Sequence, residues 1–289
     1  MTAIIYNNYT KEELERHFDP QKSVTDQARW TEQRNRNSQR VRETRKFYPD
    51  VPYGDSPRQA SDIFPAAKPG SPALIYFHGG YWRSGSKEQN CHFVELFVRT
   101  GATVAVVEYD LCPSVTVTDI VRQARAAIAW AYKNISRYNG DPDKLYISGL
   151  SAGGHLVAMA LAHDWEREGL PRDLVKGAAA ISGVYDLDAV LHLDVNREIR
   201  LTPESARENS PFLNLPLPRA PLIVAVGGAE PTGWKQQSEQ FFALCQERGV
   251  RCEYIEIPGA HHYSISAHLA DPDSPLTQAI LRQMNLSPC

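Results

Sequence analysis

Beyond residue 70 the chain repeats one rhythm: a short apolar run, a break, then a longer stretch with apolar residues at helical spacing. The runs ALIYF (Ala73–Phe77), TVAVVEY (Thr103–Tyr109), KLYIS (Lys144–Ser148), GAAAISG (Gly177–Gly183), PLIVAVGG (Pro221–Gly228) and RCEYIEI (Arg251–Ile257) have strand length. Between them QNCHFVELFVRTG, closed by Gly101, VTDIVRQARAAIAWAYKNI, HLVAMALAHDW and WKQQSEQFFALCQERG place apolar residues three and four apart, which predicts helices. Strands this apolar bury both faces. Alternation with helices therefore predicts an α/β fold, with a mostly parallel central sheet and helices on both faces. No internal repeat or low-complexity linker divides the chain, so one domain over residues 1–289 is expected.

The first sixty residues follow another pattern. From Tyr9 to about Arg45 the sequence is polar and helix-favouring, with Thr10 as N-cap and Glu13 as its capping-box partner. It is too polar for a core of its own and reads as a helical extension, residues 1–60, packed on the main body. Pro49, Pro52 and Gly54 break helicity before a short strand at Asp62–Phe64.

Composition narrows the function classes. Lys+Arg 31 against Asp+Glu 34 gives a net charge of −3, with no long basic block, so neither nucleic acid nor an anionic membrane is expected as the main partner. The diluted basic stretch Arg34–Arg45 reads as a solvated helix face. Cys91, Cys112, Cys245, Cys252 and Cys289 are odd in number, scattered and without C-x-x-C spacing, which predicts reduced thiols and no metal site. No apolar run approaches the ~20 residues of a membrane span, and the N-terminus lacks the pattern of a signal peptide. The expectation is a cytoplasmic protein. Its oligomeric state, a homodimer included, is not legible.

Candidate chemistry begins at Gly149-Leu150-Ser151-Ala152-Gly153, where a strand meets a helix. A G-x-S-x-G at such a junction forms a tight turn that lifts the serine hydroxyl above the sheet edge, and the helix behind it points free N–H groups at the reacting centre. Upstream, His78-Gly79-Gly80-Tyr81-Trp82 follows the first strong strand. The N–H groups of Gly79 and Gly80, with that of Ala152, are candidates for an oxyanion hole. His78 is expected to brace this loop. A base belongs after the last strand, where His261 and His262 follow Pro258 and Gly259; His262 is favoured. The acid slot after PLIVAVGG holds Glu230, with Asp186, one strand earlier, as the rival. Tyr81, Trp82 and His155 are candidate walls of the site.

With these residues together, the chain resembles the kynurenine formamidase (arylformamidase) family of α/β-hydrolases. The likeness rests on HGGYW (His78–Trp82), GLSAGGH (Gly149–His155), SGVYDL (Ser182–Leu187), VAVGG followed by a carboxylate, the G-x-x-H-[FY]-x-I segment at Gly259–Ile265, and LADPDSPL. It runs from about Tyr53 to Leu281 and more loosely over the N-terminus. The resemblance implies the α/β-hydrolase fold, a triad on Ser151, Glu230 and His262, and hydrolysis of N-formylkynurenine to kynurenine and formate without a cofactor. One departure stands out: the family usually places aspartate where this chain has Glu230. A carboxylesterase or amidase acting on another small aromatic acyl substrate uses the same constellation. A non-catalytic binding protein of this fold would be expected to have lost the serine or the histidine.

Overall fold

The computed structural model describes residues 4–217 and 219–287. Among the described residues there are ten strands: β1 (Ile4–Tyr6), β2 (Tyr9–Thr10), β3 (Tyr48–Pro52), β4 (Ala60–Phe64), β5 (Ser71–Phe77), β6 (Thr103–Val107), β7 (Gly140–Leu150), β8 (Val175–Ile181), β9 (Leu222–Gly227) and β10 (Cys252–Ile257). The last eight form one sheet in the order β10-β9-β8-β7-β5-β6-β4-β3. From β5 to β10 neighbouring strands are parallel, while β3 and β4 are antiparallel at one edge. The expected α/β architecture is therefore present.

Alternation along the strands splits the core into two layers. In β5, Ala73, Ile75 and Phe77 enter one buried cluster, while Leu74 and Tyr76 enter the other. Side chains of successive strand residues point to opposite faces, so a strand that is apolar at every position requires cover on both sides. Helices α5 (Val117–Asn134) and α6 (Ala152–Leu161) contribute to the first layer, and α4 (Val94–Arg99) to the second. The helix at Thr232–Glu247 joins the first layer and that at Pro275–Gln283 the second.

The N-terminal sixty residues are less uniformly helical than their polarity suggests. β1 and β2 pair as a small hairpin before α1 (Lys11–Phe18), α2 (Pro20–Ser23) and α3 (Gln27–Thr44). Thr10 and Glu13 form the expected capping box on α1. The segment with Pro49 and Pro52 is a strand rather than a loop. β3 is the sheet's outermost strand, where an imino nitrogen withholds no hydrogen bond from the ladder. Its partner β4 is buried at all five positions and starts at Ala60, two residues before the expected strand.

Four cysteines are free, and Cys289 lies outside the described residues. Among the described residues no group of three His, Cys, Asp or Glu side chains could hold a metal ion, and no helix is long and apolar enough to cross a membrane.

Candidate active site

The C-terminal ends of the parallel strands converge on one cavity of about 380 Å³, lined among others by Gly79, Gly80, Tyr81, Ser151, His262 and Tyr263. Openings at this end are where open α/β sheets place their ligands. Ser151 follows β7 and begins α6 with φ +58° and ψ −118°, a left-handed backbone that strains any residue with a Cβ. Its N–H donates to Ile181 O at 2.8 Å, tying the turn to the neighbouring strand. The flanking glycines are there for space. A Cβ on Gly149 would lie 2.4 Å from Gly153 O, and one on Gly153 would lie 2.0 Å from Phe77 O. Gly153→Ala should therefore lower stability by about 3 kcal/mol, at the upper end of overpacking costs, and reduce turnover by moving the elbow; urea unfolding with a parallel rate assay checks both.

Glu230 follows β9 and His262 follows β10. His262 Nδ1–H donates to Glu230 Oε2 at 2.8 Å. The second carboxylate oxygen accepts the Gly227 N–H at 3.0 Å and the Ser182 hydroxyl. The Glu230 side chain is fully buried, and three donors compensate the charge that burial would otherwise disfavour. The extra methylene relative to aspartate folds back over Gly227, where an added Cβ would sit 3.2 Å from Glu230 Cγ. Glutamate thus delivers its carboxylate to the ring that the resemblance assigns to an aspartate.

Asp186 lies elsewhere. It accepts the Tyr6 hydroxyl from the N-terminal hairpin and its own neighbour's N–H at Asp188. His261 turns away as well, with Nε2 at 3.1 Å from Asp26 Oδ1. Ser151 and His262 line the same cavity without a direct hydrogen bond between them among the described contacts. Serine–base contacts of this kind commonly shorten when substrate is bound.

Around Ser151, backbone donors remain unclaimed. The N–H groups of Gly79, Gly80 and Ala152 have no acceptor among the described residues, as expected for the first N–H of a helix and for a turn with φ +123° at Gly80. The loop is packed hard against the elbow, since a Cβ on Gly79 would fall 3.0 Å from Ser151 Cβ. His78 braces it from beneath: one ring nitrogen meets Gly79 O at 2.8 Å and the other Glu108 Oε1 at 2.9 Å. Burial favours a neutral Glu108, yet the His78 contact, the Tyr109 N–H and the Arg58 guanidinium win and hold its carboxyl below the usual range. Glu108 and Ser182 were not singled out from the sequence. The available signal was a carboxylate at the end of the otherwise apolar run TVAVVEY.

Two of the three expected substrate contacts need correction. Trp82 and His155 are both fully buried and absent from the cavity wall. The Trp82 indole N–H donates to His155 Nδ1 at 3.2 Å, and His155 Nε2–H donates to Asn209 O at 2.7 Å. Burial pushes the His155 imidazole down to about 4, so the ring is neutral near pH 7 and serves the core. Positive φ at both Tyr81 and Trp82 turns the chain so that the indole drops beneath the loop. Tyr81 does line the cavity, its hydroxyl donating to Phe18 O. One side of the wall comes from the N-terminal extension, through Asp19, Pro20, Gln27, Thr31 and Arg34. The solvated-face reading of Arg34–Arg45 is thereby corrected at two positions: Arg34 lines the cavity and Arg42 pairs with buried Asp62.

Residues 74–266 match the family model described as alpha/beta hydrolase fold. The chain is 30% identical to kynurenine formamidase of Danio rerio, over 98% of this chain and 99% of that one. It is also 30% identical to an esterase of Mycobacterium tuberculosis, over 74% of this chain and 56% of that one. A solved structure from Silicibacter sp. TM1040 superimposes with a TM-score of 0.79, at 26% identity, over 93% of this chain and 98% of that one. The protein is a hydrolase with formamidase or esterase chemistry, and its chain belongs to the kynurenine formamidase family of α/β hydrolases.

Proposed function

We propose that the protein hydrolyses an aryl formamide, N-formylkynurenine, to kynurenine and formate through a Ser151–His262–Glu230 triad. The observation that carries this reading is His262, held by buried Glu230, lining one cavity with Ser151 and with the unclaimed N–H groups of Gly79 and Gly80. His262 takes the Ser151 proton as Oγ attacks the formyl carbon. The oxyanion that forms rests on the N–H groups of Gly79, Gly80 and Ala152, where each donor contributes on the order of 10²–10³ in rate. Collapse breaks the C–N bond, and His262 returns the proton to the departing arylamine. Water, deprotonated by His262, then attacks the formyl ester and releases formate and free Ser151. Glu230 keeps the ring oriented with Nε2 toward the serine and stabilises the imidazolium. No step calls for a cofactor.

The similarity to a bacterial esterase supports a second reading, an aryl ester substrate, since the same constellation cleaves esters and amides. The two are separated by kcat/KM on N-formylkynurenine and on short-chain aryl esters. The formamide is expected to be preferred. A marked preference for the esters would keep the triad and change the substrate.

A further inference from the structure

Three successive turns of α3 present Gln27, Thr31 and Arg34, spaced i, i+4 and i+7, to the cavity that holds Ser151. Arg34 has neither an ion pair nor a hydrogen bond among the described residues, and its buried Nε lacks any acceptor. Arg125 shares part of this state, with its Nε unpartnered, but gives an N–H to Met159 O at 3.3 Å and lies away from this cavity; four other arginines differ more. Arg42, Arg45, Arg58 and Arg219 each hold a carboxylate. A partly desolvated guanidinium without an acceptor is costly, and a ligand that brings a planar anion removes that cost.

Arg34 is accompanied on the same wall. Arg83 spends one guanidinium nitrogen on Glu198 at 3.2 Å, while its Nε is buried without a partner. Asp19, also on the wall, accepts the Gln21 N–H at 2.9 Å and has no cationic partner among the described residues. Burial lifts the Tyr263 phenol above its usual range; Asp19 adds to that lift while Arg34 and Arg83 oppose it, so the three charges converge around one lining residue. A cation and a carboxylate on one wall, Arg34 and Asp19, neither in an ion pair among the described residues, fit a zwitterion better than a simple anion.

We infer that Arg34, with Arg83 beside it, captures the carboxylate of an α-amino-acid group on the substrate's leaving portion, and that Asp19 receives its ammonium. This rests on the hydrolase reading of the cavity and deepens it. What it adds is the set of residues that reads the amino-acid head group of the substrate proposed above. Arg34 acts in binding, so its contribution is read in KM more than in kcat.

The test compares kcat/KM for N-formyl-L-kynurenine with that for N-formylkynuramine, which lacks the carboxylate. The wild-type protein should favour the carboxylated compound by about 10- to 100-fold, the range of a charge-assisted hydrogen bond. Arg34→Gln should bring the ratio close to one through KM, and Arg34→Lys should restore part of it. A wild-type ratio near one, or a ratio unchanged in Arg34→Gln, overturns the assignment. If the wild type cleaves neither formamide, the formamide reading fails separately. The anion site is then tested by inhibition of aryl ester hydrolysis: L-kynurenine should inhibit more strongly than kynuramine, and equal inhibition overturns it. This comparison needs only the wild type, so it also serves if Arg34→Gln does not fold. Asp19→Asn, which keeps an acceptor for the Gln21 N–H, should weaken L-kynurenine more than its desamino analogue. Equal weakening overturns the ammonium half.

Discussion

Ser151→Ala is expected to lower turnover by about 10⁴- to 10⁶-fold while the protein stays folded. The argument is chemical and conformational at once. Without Oγ no formyl-enzyme forms, and only binding and the backbone donors remain to help water attack. The side chain is nearly buried and its hydroxyl forms no hydrogen bond among the described contacts, so its loss removes little packing. Alanine keeps the strain of φ +58°, and its unfolding midpoint should stay near the wild-type value. Ser151→Gly separates the two effects. It should be equally inactive yet more stable by about 1 kcal/mol, because glycine adopts the left-handed backbone freely. Rate assays on activated aryl esters, with urea unfolding of all three proteins, measure both quantities. Undiminished rates in Ser151→Ala would remove the serine from the mechanism.

Glu230→Gln should cost about 10³- to 10⁴-fold in kcat, in line with loss of a triad carboxylate whose geometry is preserved. An amide is nearly the same size as the carboxylate, so the pocket formed by Gly227, Ser182 and His262 still closes around it. It cannot satisfy all three present donors, however, because Gly227 N–H, Ser182 Oγ and His262 Nδ1 all donate to the native carboxylate. The imidazolium that forms during attack also loses its counter-charge. Asp186→Asn should act on stability through the Tyr6 contact and leave kcat within a few-fold of wild type. Reversal of this ranking would transfer the acid to Asp186.

Much of the fold was legible because strand and helix have different hydrophobic periods. The runs at Ala73–Phe77 and Leu222–Gly227 are too short and too apolar to be surface helices, and both are interior strands of the sheet. Strand β3 was hidden by its prolines, which an outermost position tolerates. Glu230 and His262 could be placed because strand order dictates where each loop emerges, even though 32 residues separate them. Direction was harder to read. The motif HGGYW puts Trp82 next to the glycines in sequence, but two successive left-handed residues send the indole into the core. Arg34 looked like a solvated residue because a helix that lines a polar cavity carries no more apolar residues than one facing water. What distinguishes Arg34 is the missing partner, which only the tertiary arrangement reveals.

The most direct test of the central claim is to treat the protein with a fluorophosphonate, which phosphonylates activated serines, and to locate the adduct by peptide mass spectrometry. One adduct is predicted, on Ser151, with its formation slowed by at least about 10²-fold in His262→Ala, the scale of general-base assistance. An adduct on another residue, or labelling of Ser151 at the same rate without His262, would contradict the account.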